Sequence, residues 1–416
     1  MPTDWTAVQL GDVLDVRHGF AFKGEYFSAE PGPLVMTPGN FRDEGGFKYK
    51  DPEKYYSGPV PEGYVLASGA LLVAMTEQKR GLLGSSALVP STGTFLHNQR
   101  LGLIVEHEPS ATSRRFLYYL FNTATVRDQI QATANGAKVR HTSPTRLKEV
   151  KVNLPPFPTQ QKTAAVLAAY DELIENNLRR IEILEEMAQV VYREWFVNFR
   201  FPGYEDVALV ESDSGLIPAG WELRPFAELA DFVNGYAFKP AHLGVEGLPI
   251  VKIKELKSGV TSDTPRNRGD DIPEKFHIGQ GELLFSWSAD FVVQLWPYGP
   301  ALLNQHLFRV IPVPGVSTDF LVHALRQRLP DFRARAQGTT MRHIKRSALT
   351  EVQTVLPPGP LRDAFSSLVR PMHELSRNLV MQSANLRATR DLLLPRLVSG
   401  EINVSNLDID TEWLAS

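Results

Sequence analysis

Apolar residues along this chain fall into two alternating textures. The first is a set of short runs broken by Gly and Pro: Leu34-Val35-Met36, Ala70 to Met75, and Leu101-Gly102-Leu103-Ile104-Val105. Runs of this length between turn residues predict strands. A helical stretch over residues 113–132 follows them. The same succession returns later as Ile250-Val251, Leu283-Leu284-Phe285 and Leu307 to Ile311, then a helical stretch over 318–336. Each globular part therefore reads as mixed α and β. The second texture is helical and long. Residues 159–199 hold neither Gly nor Pro, and Leu167, Ile174, Ile181, Ala188 and Trp195 recur every seven positions. Tyr170, Asn177, Leu184 and Val191 interleave at the same period, which makes a heptad seam with Asn177 as its polar position. Residues 361–394 predict a second such helix, with a seam at Leu368, Met372, Leu375, Leu379, Gln382, Leu386 and Leu393 and a polar break at Thr389. Pro371 inside it should kink it or mark a late start. Forty helical residues span roughly 60 Å. Neither helix buries its stripe alone. Pairing the two is the economical solution, with a buried Asn or Gln fixing the register; the alternative packs each helix on its own globular part.

The succession is an internal repeat. Trp5 matches Trp221, Gly19-Phe20-Ala21-Phe22-Lys23 matches Gly235-Tyr236-Ala237-Phe238-Lys239, and Pro33-Leu34-Val35 matches Pro249-Ile250-Val251. Further on, Asn98-Gln99 matches Asn304-Gln305, Arg140-His141 matches Arg342-His343, and Leu154-Pro155-Pro156 matches Leu356-Pro357-Pro358. The offset shrinks along the chain, as deletions in surface loops of the second copy would make it. Two copies imply pseudo-two-fold symmetry, and duplex DNA is one partner with two similar faces. The fold class is α+β: two repeated mixed α/β domains separated by two long helices that pair as an antiparallel coiled coil. The boundaries are 1–157 for the first domain and 158–200 for the first helix, then 201–357 for linker and second domain. The second helix covers 358–400 and a tail covers 401–416.

The chain has 416 residues, no cysteine and a net charge of −3. Lack of Cys excludes thiolate metal sites and a cysteine nucleophile, and fits a reducing, cytoplasmic setting. No apolar stretch is long enough to span a membrane and no signal peptide is read. The charge is segregated: residues 158–215 carry five basic and eleven acidic residues, and the two globular copies are slightly basic. Catalytic signatures are missing. There is no phosphate-binding GxxxxGK[ST] loop, and Gly279-Gln280-Gly281 lacks the third glycine of a dinucleotide fingerprint. Leu154-Pro155-Pro156-Phe157 imitates an amino-methyltransferase motif, yet Leu154 has no acceptor for a target amine. Glu255-Leu256-Lys257 is a lone fragment of a nuclease motif, and the ten histidines show no metal-ligand spacing.

These residues carry a resemblance. Trp5 with Leu10-Gly11, the Gly-Phe-Ala-Phe-Lys stretch, and Gly136 followed by Leu154-Pro155-Pro156 and Gln160-Gln161 are its first part. Tyr170-Asp171-Glu172-Leu173-Ile174, Ile217-Pro218-Ala219-Gly220-Trp221, and Leu392-Leu393-Leu394-Pro395-Arg396 running on to Ile402 complete it. In this order, with the duplication, the chain resembles the specificity (S) subunit of Type I restriction–modification systems over nearly its whole length. One departure is that Leu356-Pro357-Pro358-Gly359-Pro360 lacks the Gln pair of the first junction, so the start of the second helix is less defined. The resemblance implies a prokaryotic, non-catalytic subunit with two target recognition domains. Each would read half of a bipartite site in double-stranded DNA. The helices would set the spacer and dock two methyltransferase (M) subunits and, through them, restriction (R) subunits. S-adenosylmethionine and ATP with Mg would belong to those partners, and this chain would hold no cofactor.

Base reading needs Arg, Lys, Asn or Gln in a groove, and phosphate contacts need Lys, Arg or backbone N–H groups. The candidates in the first copy are Lys23, Lys79, Arg80, Asn98, Gln99, Lys138, Arg140 and His141. In the second they are Lys239, Lys252, Lys254, Asn304, Gln305, Arg342, His343, Lys345 and Arg346. Positions shared by both copies suit a common task, either phosphate positioning or frame-holding hydrogen bonds. Unshared ones such as Lys79-Arg80 suit sequence-specific contact. The rival reading is a coiled-coil scaffold that binds proteins and no DNA.

Overall fold

The computed structural model describes residues 4–415 apart from 79, 214 and 339–341. The chain divides into two compact units, Met1–Leu173 with Leu386–Ser416, and Ile174–Asn385. Both divisions fall inside long helices, so each unit contains one globular copy and a stretch of each helix.

In the first unit the strand Thr6–Gln9 pairs antiparallel with Lys151–Leu154, which ties the start of the copy to its Leu-Pro-Pro junction. One antiparallel sheet has the order Leu14–His18, Leu101–Glu106, Leu71–Ala74, Ser86–Leu88. A second sheet centres on a parallel pair, Leu34–Met36 with Phe95–His97. All four residues of Leu71–Ala74 and all three of Leu34–Met36 are buried. Burial on both faces explains why these strands are continuous apolar runs rather than alternating ones.

The second unit repeats the plan. Glu222–Pro225 pairs with Gln353–Leu356, and one sheet runs Ala230–Asn234, Leu307–Pro312, Leu283–Ser286, Val293–Leu295. The parallel pair returns as Leu248–Val251 with Ala301–Leu303. Its core gathers Phe226, Phe232, Phe285, Phe320, Phe332 and Phe365.

The long helices are Phe157–Phe196 and Gly359–Val398. In the first unit the start of one meets the end of the other, with the Arg390 Nη1 of the second helix 2.6 Å from Asp171 Oδ1 of the first. In the second unit the end of the first helix meets the start of the second: Phe365 lies 4.9 Å from Phe196, 5.9 Å from Tyr192 and 6.0 Å from Trp195, ring centre to ring centre. Start against end is the sense of an antiparallel pair.

In the first helix all the heptad positions from Leu167 to Trp195 are buried or half-buried, and Asn177 is buried among them. In the second helix half of the expected seam moves. Met372, Leu379, Leu386 and Leu393 lie on it, joined by Phe365. The other row falls at Val369, Ser376, Ser383, Arg390 and Leu397, one residue later than the apolar pattern indicates. Leu368 and Leu375 are 44% and 39% exposed, and Gln382 and Thr389 are exposed rather than seam breaks. Serine is small enough to be enclosed, and Arg390 is neutralised by Asp171, so polar residues occupy rows where apolar ones were expected. Pro371 does not delay the helix, which runs unbroken from Gly359 with Pro371 on an exposed position.

Candidate nucleic-acid interface

Three separated segments meet in each copy. In the first, Gly19-Phe20 lies along the turn at Asn98: Phe20 N–H donates to the His97 carbonyl at 2.8 Å and Gln99 N–H to the Phe20 carbonyl at 3.0 Å. A β-carbon on Gly19 would stand 2.1 Å from the Asn98 carbonyl oxygen, so only glycine lets the two chains approach this closely. Met75 then links this turn to a hairpin. Its N–H donates to the Arg100 carbonyl, and its carbonyl accepts from Thr142 N–H, both at 2.9 Å. In the hairpin Asn135 and His141 exchange backbone hydrogen bonds around Gly136, whose φ is +102°.

The second copy builds the same junction from other residues. Gly235 lies equally close to Asn304, and Gln305 N–H donates to the Tyr236 carbonyl at 2.9 Å. Trp287 takes the place of Met75, donating its N–H to the His306 carbonyl and accepting from Ile344 N–H. Its indole N–H is shared between Asn234 Oδ1 at 2.9 Å and the Gln305 carbonyl at 3.0 Å. Gln337 and His343 exchange backbone hydrogen bonds around Gly338 (φ +100°).

The junctions bring together Asn98, Gln99, Arg140 and His141 in one unit, and Asn304, Gln305, Arg342 and His343 in the other. Most shared residues serve the frame. Asn98 Oδ1 accepts from Arg100 N–H, and Asn304 is buried with its amide on Gln305 Oε1. Arg140 Nη2 donates to the Gln131 carbonyl at 2.7 Å, and Arg342 Nη2 to the Arg333 carbonyl at 3.0 Å, each nine residues back. Arg140 also pairs with the buried Glu77 at 2.9 Å. Gln99, His141 and Arg342 keep exposed surface beside these bonds.

Of the other candidates, Arg80, Lys138, Lys254 and Lys345 are exposed and Lys252 is half-buried. Lys252 adjoins the second junction because Asn304 N–H donates to the Val251 carbonyl. Arg346 pairs loosely with Asp231 at 3.9 Å. Lys23 and Lys239 are exposed just past the aromatic stretches and outside the junction contacts. Lys79 lies outside the described residues. Two residues outside the sequence candidates also stand here: Arg100, exposed on the first turn, and its counterpart His306, whose Nδ1 meets Ser288 Oγ at 3.0 Å. The adjacent Asn-Gln pair was the available signal for both. Exposed Arg and Gln can read guanine and adenine edges, and the lysines suit phosphates.

Glu255 of the nuclease-like fragment is buried and caps a helix, accepting from Lys252 N–H at 3.1 Å. Among the described residues no group of three or more His, Asp or Glu could hold a metal ion, and no helix is long and apolar enough to cross a membrane.

Polar anchors fasten the long helices to each copy. Gln160 accepts from Ser113 N–H at 2.9 Å and donates to the Ala111 and Pro155 carbonyls, pinning the start of the first helix. Asp171 accepts from Tyr119 Oη at 2.7 Å in addition to Arg390. The second unit uses Ser317 and Ser366, 2.6 Å apart, and a buried chain: Gln189 Oε1 to His323 Nδ1 at 2.9 Å, His323 Nε2 to His373 Nε2 at 3.0 Å, His373 Nδ1 to Asp319 Oδ1 at 2.8 Å.

Burial pushes the His323 imidazole well below its usual value, and His373 and Arg326 add to the effect. The unfolded state therefore takes up this proton first as pH falls. The His323 contribution to stability is complete above about pH 6.5 and declines below it, by at most about 1.4 kcal/mol per pH unit. Asp319 is desolvated, but hydrogen bonds from His373 and Arg370 outweigh that and hold its carboxyl below the usual range. Its contribution persists through that window and fades only below about pH 4. Urea unfolding at about pH 8 and pH 5.5 should show the second unit losing stability in acid, and His323→Gln should flatten that dependence. An unchanged slope in the variant would assign it elsewhere.

Residues 2–186 match the Type I restriction modification DNA specificity domain. The specificity subunit of the Type I restriction enzyme MjaIX of Methanocaldococcus jannaschii is 29% identical over 303 residues, 70% of either chain. The MjaVIII specificity subunit of the same organism is 20% identical over 425 residues, 98% of this chain and 95% of that one. The S subunit of a Type I restriction–modification system from M. genitalium has a solved structure that shares the fold, with a TM-score of 0.61 over 95% of this chain and 96% of that one at 14% identity. With a match to a DNA specificity domain over residues 2–186 and relatives along its whole length, this chain is similar to the specificity subunits of Type I restriction–modification systems.

Proposed function

We propose that each globular copy reads one half of a bipartite DNA target, and that the paired helices set the number of base pairs between the halves. The observation that carries this reading is the same three-segment junction built twice, once per compact unit, on different exposed side chains. A shared frame with unshared surface residues suits two readers of two sequences. The helices also dock two methyltransferase subunits and, through them, restriction subunits. The chain itself catalyses nothing: S-adenosylmethionine, ATP and Mg act in the partners, inside a prokaryotic cell. Apolar residues such as Leu173, Ile183 and Met187, about half exposed on the first helix, support a docking role.

The near-neutral charge of each copy implies that phosphate contacts come largely from the partners. The isolated chain should bind duplex DNA weakly. With the methyltransferase subunit added, specific binding should appear, and its logarithm should fall linearly with the logarithm of salt concentration. A filter-binding or anisotropy titration over a salt series measures this. Nanomolar specific binding by the isolated chain would refute the division of labour, and no DNA binding by the complex at any salt would favour the protein-only scaffold.

A further inference from the structure

One buried carboxylate in the first unit has a charged network of its own. Glu77 is 3% exposed at the end of the strand Thr76–Glu77. Its Oε2 accepts three backbone N–H groups, from Gly81 at 3.1 Å, Leu82 at 3.0 Å and Leu83 at 2.9 Å. Its Oε1 accepts from Arg140 Nη1 at 2.9 Å. Successive N–H groups converging on one point form a concave anion site, and here a side chain of the same domain fills it. The segment is gripped from the other side as well: the buried Arg127 donates to the Gly81 carbonyl and to the Asp43 carbonyl.

Glu77 therefore bridges two elements of the candidate interface. It fixes the backbone next to the exposed Arg80, and through Arg140 it fixes that backbone against the Gly136–His141 hairpin. Among the described residues the second copy shows no such carboxylate at the matching position. The position equivalent to Glu77 is Ala289, whose N–H donates to the Arg342 carbonyl at 2.7 Å, and Trp287 organises that junction through neutral hydrogen bonds. A frame-holding group common to both modules would recur, whereas the matching position of the second copy is Ala289.

We propose that Glu77 is a positioning residue for sequence reading by the first domain, holding the Arg80–Leu83 segment and the Arg140 hairpin in one fixed geometry against DNA. This rests on the proposed reading of one half-site per domain. A groove contact discriminates between bases only when the donor is held in place, so loosening its support should relax sequence preference before it abolishes binding.

The test uses the full chain assembled with its methyltransferase partners in a host cell, with genome-wide mapping of methylated adenines. For the wild type, a two-part motif is expected; a motif without two parts would sink the reading of the whole protein, not this proposal alone. Glu77→Gln keeps the size and one acceptor but removes the charge that gathers the three N–H groups and Arg140. The expected result is a first half-site whose base preference drops about tenfold or more at one or two positions, with the second half-site unchanged. Arg140→Gln, which leaves the N–H cradle occupied but uncouples it from the hairpin, should relax the same positions, and it serves if Glu77→Gln does not fold. Both half-sites staying sharp while methylation falls uniformly would show that Glu77 only stabilises the domain, and the proposal would be wrong. Relaxation of the second half-site instead would also overturn it.

Discussion

Phe365→Ala should destabilise the second unit by about 3–5 kcal/mol, the usual loss when a fully enclosed phenylalanine is truncated in a core that cannot collapse around the gap. Phe365 is 0% exposed and sits where three elements meet. Its ring touches Tyr192, Trp195 and Phe196 of the first long helix and lies 5.9 Å from His323 of the helix Thr318–Gln327. Truncation removes the packing between the helices and between each helix and the domain. Leu368→Ala is the matched control. Leu368 belongs to the seam expected from the apolar pattern, but it is 44% exposed, so its loss should stay within about 0.5 kcal/mol. Urea unfolding followed by tryptophan fluorescence compares the two. Equal losses would place Leu368 on the seam and contradict the helix pairing described above.

That contrast shows what a sequence discloses. Strand runs and the first heptad seam were legible because their positions are enclosed by apolar groups, and enclosure leaves a hydrophobic signature. The second seam was half legible. Ser376, Ser383 and Arg390 occupy its other row, and their fitness for burial comes from small size or from a charge on another element, Asp171, distant in sequence. Periodicity cannot register a partner of that kind. The candidate interface divides likewise. Gly19, Asn98, Gly136 and Arg140 recur in the second copy, and the structure gives the repeat a cause: close backbone approach, a capped turn, a tight hairpin and a bond to a carbonyl nine residues back. Glu77 and Arg127 left no such trace, since neither belongs to a motif and each acts on backbone groups brought near only by folding.

Lengthening both long helices by one heptad should change the recognised DNA more than any point substitution. The insertions belong after Leu173 and after Asn385, where the compact units part. Seven residues extend each helix by about 10 Å, and because the seam rows repeat every seven positions, each row still faces its partner. Lengthening one helix alone would leave its rows unmatched. With both lengthened, the domains keep their own cores and junctions, and only the connection between them grows. The complex should then abandon its natural target for one with a longer spacer.

Methylome mapping of a host carrying the doubly lengthened chain with its methyltransferase partner decides the matter. If two readers are held by a helical ruler, the modified motif will keep both half-sites letter for letter and separate them by more base pairs than the natural motif does. Altered half-sites, or an unaltered spacer, would contradict that account.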